Sequence, residues 1–339
     1  MKHSVLATSL KVATLASIAT LSTVAIAAPD IYGQIRMSFA SESAETTKNG
    51  ITTKDSARPK FTTGNSRIGF KGSEKLKDKL DLEYRLEYRV DVAESTSANF
   101  SARQGWIALN HADYGRLQAG RTISKDDDLV TGNAWLWGTG IGPFSGHAGN
   151  WVNNSFLYTT PKFNSDTTTA FIHYGMDEGK KGSRSFITFK NGEEKSVDRD
   201  FVIVGAQYTK DKTSLNVAYT RAGNDLNSLL GSGEYTINDQ WSVHGTAQYT
   251  DYNSNDNELA LFTGVAYKPK DSVTTWAEIS YTDNYKGYGD GEVVGLNVGA
   301  SYDVSKNLLG FANVGFSKEE YNKTKVDKKG VELGAVYRF

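Results

Sequence analysis

The chain has 339 residues, with 38 Lys and Arg against 39 Asp and Glu, 5 prolines, 33 glycines and no cysteine. The absence of Cys excludes disulfide scaffolds, thiolate metal sites and cysteine catalysis, and a formal net charge of -1 argues against a dedicated nucleic-acid binder. A mean hydropathy of -0.47 and the lack of a long internal apolar run exclude a helical membrane protein, but not a transmembrane barrel with a polar inner face.

Residues 1–27 read as a secretory signal peptide. Lys2 and Lys11 supply positive charge, Val12 to Ala27 are apolar, small or hydroxylic, and Ala25-Ile26-Ala27 forms an A-x-A cleavage site. Its removal takes away two lysines and no acids, and leaves residues 28–339 as one mature domain.

From there the chain reads as strands. Alternation is plainest over residues 79–92: Leu80, Leu82, Tyr84, Leu86, Tyr88, Val90 and Val92 share one parity, and Lys79, Asp81, Glu83, Arg85, Glu87, Arg89 and Asp91 the other. A period of two puts these sets on opposite faces of a strand, whereas a helix would smear the charges around its surface. Candidate strands follow at 30–41, 59–72, 79–93, 98–110, 114–121, 152–162, 167–175, 199–209, 213–222, 228–237, 240–250, 258–268, 272–282, 291–303, 307–317 and 329–339, sixteen in all. Short connections such as 73–78, 163–166, 210–212, 238–239, 269–271 and 304–306 alternate with long or polar ones at 42–58, 122–151, 176–198, 251–257, 283–290 and 318–328. Short turns at one end and long loops at the other predict an antiparallel transmembrane β-barrel. Pro59, Pro143, Pro161 and Pro269 fall at strand ends, in a loop or in a turn, as the missing N–H requires.

The aromatic residues separate a barrel from a soluble sandwich. On the apolar parity, Phe70, Tyr208, Tyr235, Tyr267, Tyr302 and Phe339 close one end of alternate strands, and Phe39, Tyr219, Tyr249, Tyr281 and Phe316 the other. Two rows at opposite ends make two girdles, suited to rings with an apolar body and a wet tip. Between the rows lie Val294, Leu296, Val298 and Ala300, with Val293, Gly295, Asn297, Gly299 and Ser301 on the other parity.

Ile31-Tyr32-Gly33-Gln34, NSRIGFKGSEKL at 65–76, ARQGWIALNHADYGRLQAGR at 102–121, NSFLYTTPKF at 154–163 and the terminal Tyr-Arg-Phe occur in an order that resembles the Gram-negative general diffusion porins over residues 30–339. The resemblance implies a trimeric sixteen-stranded outer-membrane barrel. It also implies a third loop, 122–151, folded into the lumen, and passive diffusion of small hydrophilic solutes rather than enzymatic chemistry. The implied partners are a second and third copy of the chain, outer-membrane lipid and lipopolysaccharide, the barrel-assembly machinery and the solutes themselves; no nucleic acid, cofactor or metal is expected. Val331, Leu333, Ala335, Tyr337 and Phe339 alternate to the last residue and resemble the assembly signal, with Tyr337 and Phe339 at its end.

In that family, carboxylates on the third loop face basic side chains on the wall. Arg36, Arg67, Arg85, Arg89 and Arg103 fall on the inward parity here. Arg67 and Arg103 match wall arginines of the family, Arg36 a position that is often basic, and Arg85 and Arg89 follow from parity alone. Asp126, Asp127 and Asp128 are the acidic candidates of the loop; three adjacent like charges need water or arginines nearby. Two departures predict a weakened field. The turn Gly142-Pro143-Phe144-Ser145-Gly146 lacks an acid, and Trp151-Val152-Asn153 stands where an arginine is frequent. Trp135, Trp137 and Trp151 either pin the loop to the wall or stack on sugar rings, so a saccharide-preferring porin is the alternative. His111, His147, His173 and His244 lack metal-ligand spacing. No phosphate loop, G-x-S-x-G or H-E-x-x-H occurs. The contrasting classes are an outer-membrane barrel enzyme and a plugged structural barrel.

Overall fold

Alternating segments from both ends of the chain pair into one sheet that closes on itself. The computed structural model describes residues 28–56, 58–93, 99–132, 141, 144, 146, 151–176, 186–190, 193–197, 200–253 and 256–339. The first barrel strand is β1 (Asp30–Lys48); the second comes in three pieces, β2 (Ile51–Ser56), β3 (Lys60–Thr62) and β4 (Arg67–Lys77). The barrel continues with β5 (Leu80–Val90), β6 (Phe100–His111), β7 (Gly115–Ile123), β8 (Trp151–Thr159) and β9 (Thr168–Gly175). A separate hairpin follows, β10 (Phe186–Lys190) and β11 (Glu193–Val197). The barrel resumes with β12 (Phe201–Lys210), β13 (Thr213–Ala222), β14 (Leu226–Thr236) and β15 (Trp241–Asp251). It ends with β16 (Glu258–Lys270), β17 (Val273–Asp283), β18 (Glu292–Asp303), β19 (Leu308–Tyr321) and β20 (Thr324–Arg338). The result is a closed 16-strand antiparallel barrel.

The seam is the pairing of β1 with β20, from Gln34 opposite Arg338 to Lys48 opposite Thr324. Beyond it, the Gly33 amide donates to the Phe339 carbonyl at 2.9 Å and the Phe339 amide donates back at 3.2 Å. Gly33 is required there: a Cβ would stand 2.6 Å from both the Arg67 carbonyl oxygen and the Phe339 ring. Closure leaves no unpaired edge in the hydrocarbon, where an unbonded backbone group is costly.

Parity sets the two faces. Ile35, Met37 and Phe39 of β1 are exposed on the outside, while Arg36, Ser38 and Ala40 are buried on the inside. The girdle residues Phe39, Tyr219, Tyr249, Tyr281 and Phe316, and at the other end Tyr235, Tyr302 and Phe339, are exposed on the outer face. Trp241 stacks on Tyr267 at 4.4 Å between ring centres.

The strands differ from expectation at one end of the barrel. Residues 42–58 and 318–328 are largely strand rather than loop, turned by Asn49 and Gly50 (φ 51 and 81) and by Asn322 and Lys323 (φ 45 and 58). Two successive left-handed residues give the tight turn whose twist matches the strands it joins. Both faces of these extensions are polar, so alternation does not reveal them. The segment 176–198, expected as a loop, contains β10 and β11.

The third loop enters the lumen and crosses to the far wall. Thr220 on β13 donates to Asp126, Ser232 on β14 to the Leu129 carbonyl, and Thr131 to the Gly245 carbonyl on β15 at 3.0 Å. Further along, Phe144 meets Phe262 of β16 at 6.3 Å between ring centres.

Candidate functional site

The wall facing this loop is built from β4 to β7, and its inward parity is basic. Register brings the charges together. Arg67 stands opposite Arg89, and Lys71 opposite Arg85. At the junction of β5 with β6, Glu87 faces Gln104 and Tyr88 faces Ala102, so Arg103 is the extra residue of a bulge. A bulge re-aims its side chain. Here it sends the Arg103 Nε to Glu87 Oε1 at 2.8 Å.

Glu87 is the centre of the cluster. It is buried, accepts from the Tyr32 hydroxyl at 2.9 Å, and has Arg67 Nε at 3.5 Å from its second oxygen. Two guanidinium groups thus share one carboxylate. Below it, Arg116 pairs with Glu83 at 2.8 Å and lies 4.7 Å from the centre of the Trp106 ring. Arg85 lies 5.6 Å from the rings of both Tyr32 and Trp106. Arg89 donates to the Gly64 carbonyl at 3.1 Å. Along this strip Arg67, Lys71, Arg85, Arg89, Arg103 and Arg116 outnumber Asp81, Glu83, Glu87 and Asp91.

Arg36 borders the strip at Gly64 but is paired away from it. It is 1% exposed, pairs with the buried Glu332 at 2.7 Å and covers the Phe311 ring at 4.5 Å. Its charge is matched inside the wall of β1 and β20 and adds little to the field in the water.

The acidic candidates are also withdrawn. Asp126 is fully buried, accepts from Thr220 at 3.1 Å and caps a short 3-10 turn, Asp127–Leu129, through the Asp127 amide. The Asp127 carboxyl is pushed up to about 7 by burial, and then by the neighbouring Asp126 and Asp128 charges. Asp128 is paired with Lys125 at 2.7 Å. The loop therefore presents a weak negative surface, and the wall a net positive one.

Trp151 opens β8, and its ring carries the Arg103 guanidinium at 4.4 Å. That face of the indole is occupied. Trp135 and Trp137 lie outside the described residues, as do Gly142, Pro143 and Ser145 of the loop turn. Tyr337 and Phe339 stack at 6.4 Å beside the seam. Among the described residues no group of three His, Asp or Glu side chains comes together as a metal set, and no helix is long and apolar enough to cross a membrane.

The convergence of Tyr32, Arg67 and Arg103 on Glu87 has no local signal. Glu87 is one charge in the alternating 79–92 segment, and its partners arrive from β1, β4 and β6 through register alone. Arg116 had a usable signal, since it shares parity with Gln118 on β7.

A model of the Gram-negative porin family matches residues 13–338. The major outer membrane protein P.IB of Neisseria meningitidis serogroup B is 25% identical over 345 aligned residues, covering 95% of this chain and 98% of that protein. Among solved structures, the anion-selective porin from Comamonas acidovorans superposes with a TM-score of 0.68 at 19% identity, covering 92% of this chain and 99% of that one. Outer-membrane expressed OmpT of Vibrio cholerae gives a TM-score of 0.68 at 16% identity, covering 92% and 97%.

Proposed function

The chain belongs to the Gram-negative porin family, and on that premise we propose that its channel favours anions among the small hydrophilic solutes it passes. The protein is an outer-membrane channel for passive diffusion. The observation that carries the preference is the shared carboxylate: Glu87 balances one of two guanidinium groups, while the loop acids opposite are buried, raised in pKa or paired. An anion passing the strip meets donors of fixed position. Among the described residues, the loop acids offer a cation a weaker attraction, since Asp126 is buried, Asp127 is raised in pKa and Asp128 is paired with Lys125. The Comamonas relative in fold is itself named as anion-selective.

In this reading Arg67, Arg85 and Arg103 form the basic side of the constriction, and Asp127 and Asp128 its weak acidic side. Arg36 is a structural charge rather than a selectivity charge. Residues 1–27 are removed on export, and Tyr337 with Phe339 present the assembly signal. The assembly is a homotrimer in which the outward face of the first strands meets its neighbours; a trimer form of OmpT from Vibrio cholerae is known. Closure of reconstituted channels in three equal voltage-driven steps supports that assembly, and uniform single-step closure counts against it. Zero-current potential in a salt gradient tests the preference itself: a cation-selective wild type refutes it.

A further inference from the structure

The lumen of a water-filled channel has no need of an apolar core, yet this one contains it. Phe186 and Val197 of the β10–β11 hairpin are buried in a cluster with Phe171, Phe201 and Ile203 of the barrel wall and with Leu129 of the third loop. The Phe186 ring meets Phe201 edge-on at 4.8 Å. The hairpin is not part of the barrel sheet: among the described residues its two strands form their ladder with each other, in a sheet of their own. Its position follows from what it touches. Thr188 donates to the Asp225 carbonyl, between β13 and β14, at 2.9 Å. Phe189 meets Tyr252, just after β15, at 5.4 Å. At the far end Lys286, between β17 and β18, places its ammonium 5.8 Å from the Phe189 ring, 4.9 Å from Tyr285 and 5.0 Å from Tyr321. An ammonium held among aromatic faces is attracted by each ring quadrupole.

The hairpin thus spans the tops of the same strands, β12 to β17, against which the third loop lies lower in the lumen. We propose that this hairpin is a second in-folded element of the pore: it narrows the mouth and clamps the 126–130 segment of the constriction loop to the far wall through the shared apolar core. Lys286 in its aromatic box is the clasp of that clamp. The inference rests on the chain being a diffusion channel, not on the ion preference proposed above.

The test replaces residues 186–197 by a short Gly-Ser link in the full chain. A second variant, Phe186→Ser with Val197→Ser, keeps the backbone and removes only the apolar contact. Because the hairpin contributes nothing to the barrel sheet, both variants should retain the shift in gel mobility on boiling. Single-channel conductance in 1 M KCl should then rise by roughly half or more, the largest neutral sugar admitted by proteoliposomes should increase, and open-channel current noise should grow as the loop is released. Lys286→Ala should raise the noise with little change in mean conductance, and added tetramethylammonium should quieten it by refilling the box. Folded variants with wild-type conductance, size limit and noise overturn the proposal. So do variants that lose the heat-modifiable barrel, because the hairpin would then be a folding element rather than a clamp. Zero-current potential is read in parallel: a wrong ion preference leaves these size and noise results standing.

Discussion

Replacing Arg67 and Arg103 together by Gln changes the charge around Glu87 from +1 to -1 while leaving the carboxylate hydrogen-bonded to Tyr32. The size of the effect can be worked from the charges. At about 6 Å in water one unit charge acts on an ion with about 0.7 kcal/mol. A Debye length of about 10 Å at 0.1 M leaves a little over half of that, about 0.4 kcal/mol. A swing of two charges raises the energy of an anion and lowers that of a cation by about 0.8 kcal/mol each, so the anion-to-cation permeability ratio should fall about tenfold. The assay is zero-current potential across a planar bilayer with a KCl gradient around 0.1 M. Repeated at 1 M, where the Debye length is about 3 Å, the same arithmetic leaves only about a twofold change. An unchanged potential in dilute salt shows that these arginines do not border the ion path. A shift that persists undiminished in 1 M salt shows that the change is not electrostatic.

Other outcomes follow from the loop and the seam. The Asp127 carboxyl, at about 7, holds its proton in the folded loop at pH values where an unfolded Asp ionises. The fold therefore binds an extra proton between about pH 4 and 7, stability falls as pH rises through that window, and the loop gains a negative charge above it. Anion preference should accordingly weaken between pH 6 and 8, and Asp127→Asn should flatten that dependence; an identical pH profile in the variant contradicts the assignment. Gly33→Ala forces a Cβ to within 2.6 Å of the Arg67 carbonyl and the Phe339 ring. The overpacked seam should lose about 1–3 kcal/mol, seen as a lower temperature for loss of the fast-migrating unboiled band. Deleting Phe339, or replacing it with Asp, removes the ring and its place beside Gly33, and should stall assembly before the outer membrane. Wild-type levels of inserted protein after that change contradict the terminal reading.

The barrel was legible because lipid imposes period two wherever a strand crosses it. Leu80 to Val92 could not be mistaken for a helix, and the girdle rings marked both membrane boundaries. Where lipid ends, the pattern ends. The extensions of β1, β2, β19 and β20 are polar on both faces, and the Asn-Gly and Asn-Lys turns are what betray them. The β10–β11 hairpin carries a local signal, the pair Asn191-Gly192 after the run Phe186-Ile187-Thr188-Phe189, but its place inside the barrel does not show locally, because the burial of Phe186 and the packing of Phe189 depend on Phe201 and Tyr252 from elsewhere in the chain.

The candidate site was legible as a set of positions and not as a set of charges in play. Parity sufficed to list Arg36, Arg67 and Arg85, but Arg103 shares the parity of the outward Ile107 and Leu109 and is turned into the lumen only by the bulge. Nor could parity separate Arg36, which meets Glu332 across the seam at a sequence distance of 296 residues, from Arg67, which converges with Arg103 on Glu87 beside that bulge. Likewise three consecutive aspartates look equivalent in sequence. The path of the loop gives Asp126 to Thr220 and Asp128 to Lys125, and leaves Asp127 with a raised pKa between them.

The most direct test of the central claim is the zero-current potential of the purified, unmodified protein in a planar bilayer, recorded across a tenfold KCl gradient in dilute salt at pH 7. A positively charged strip facing a loop whose acids are buried or paired predicts stepwise ion conductance with a potential on the anion-selective side. A cation-selective potential, or no conductance at all, contradicts it.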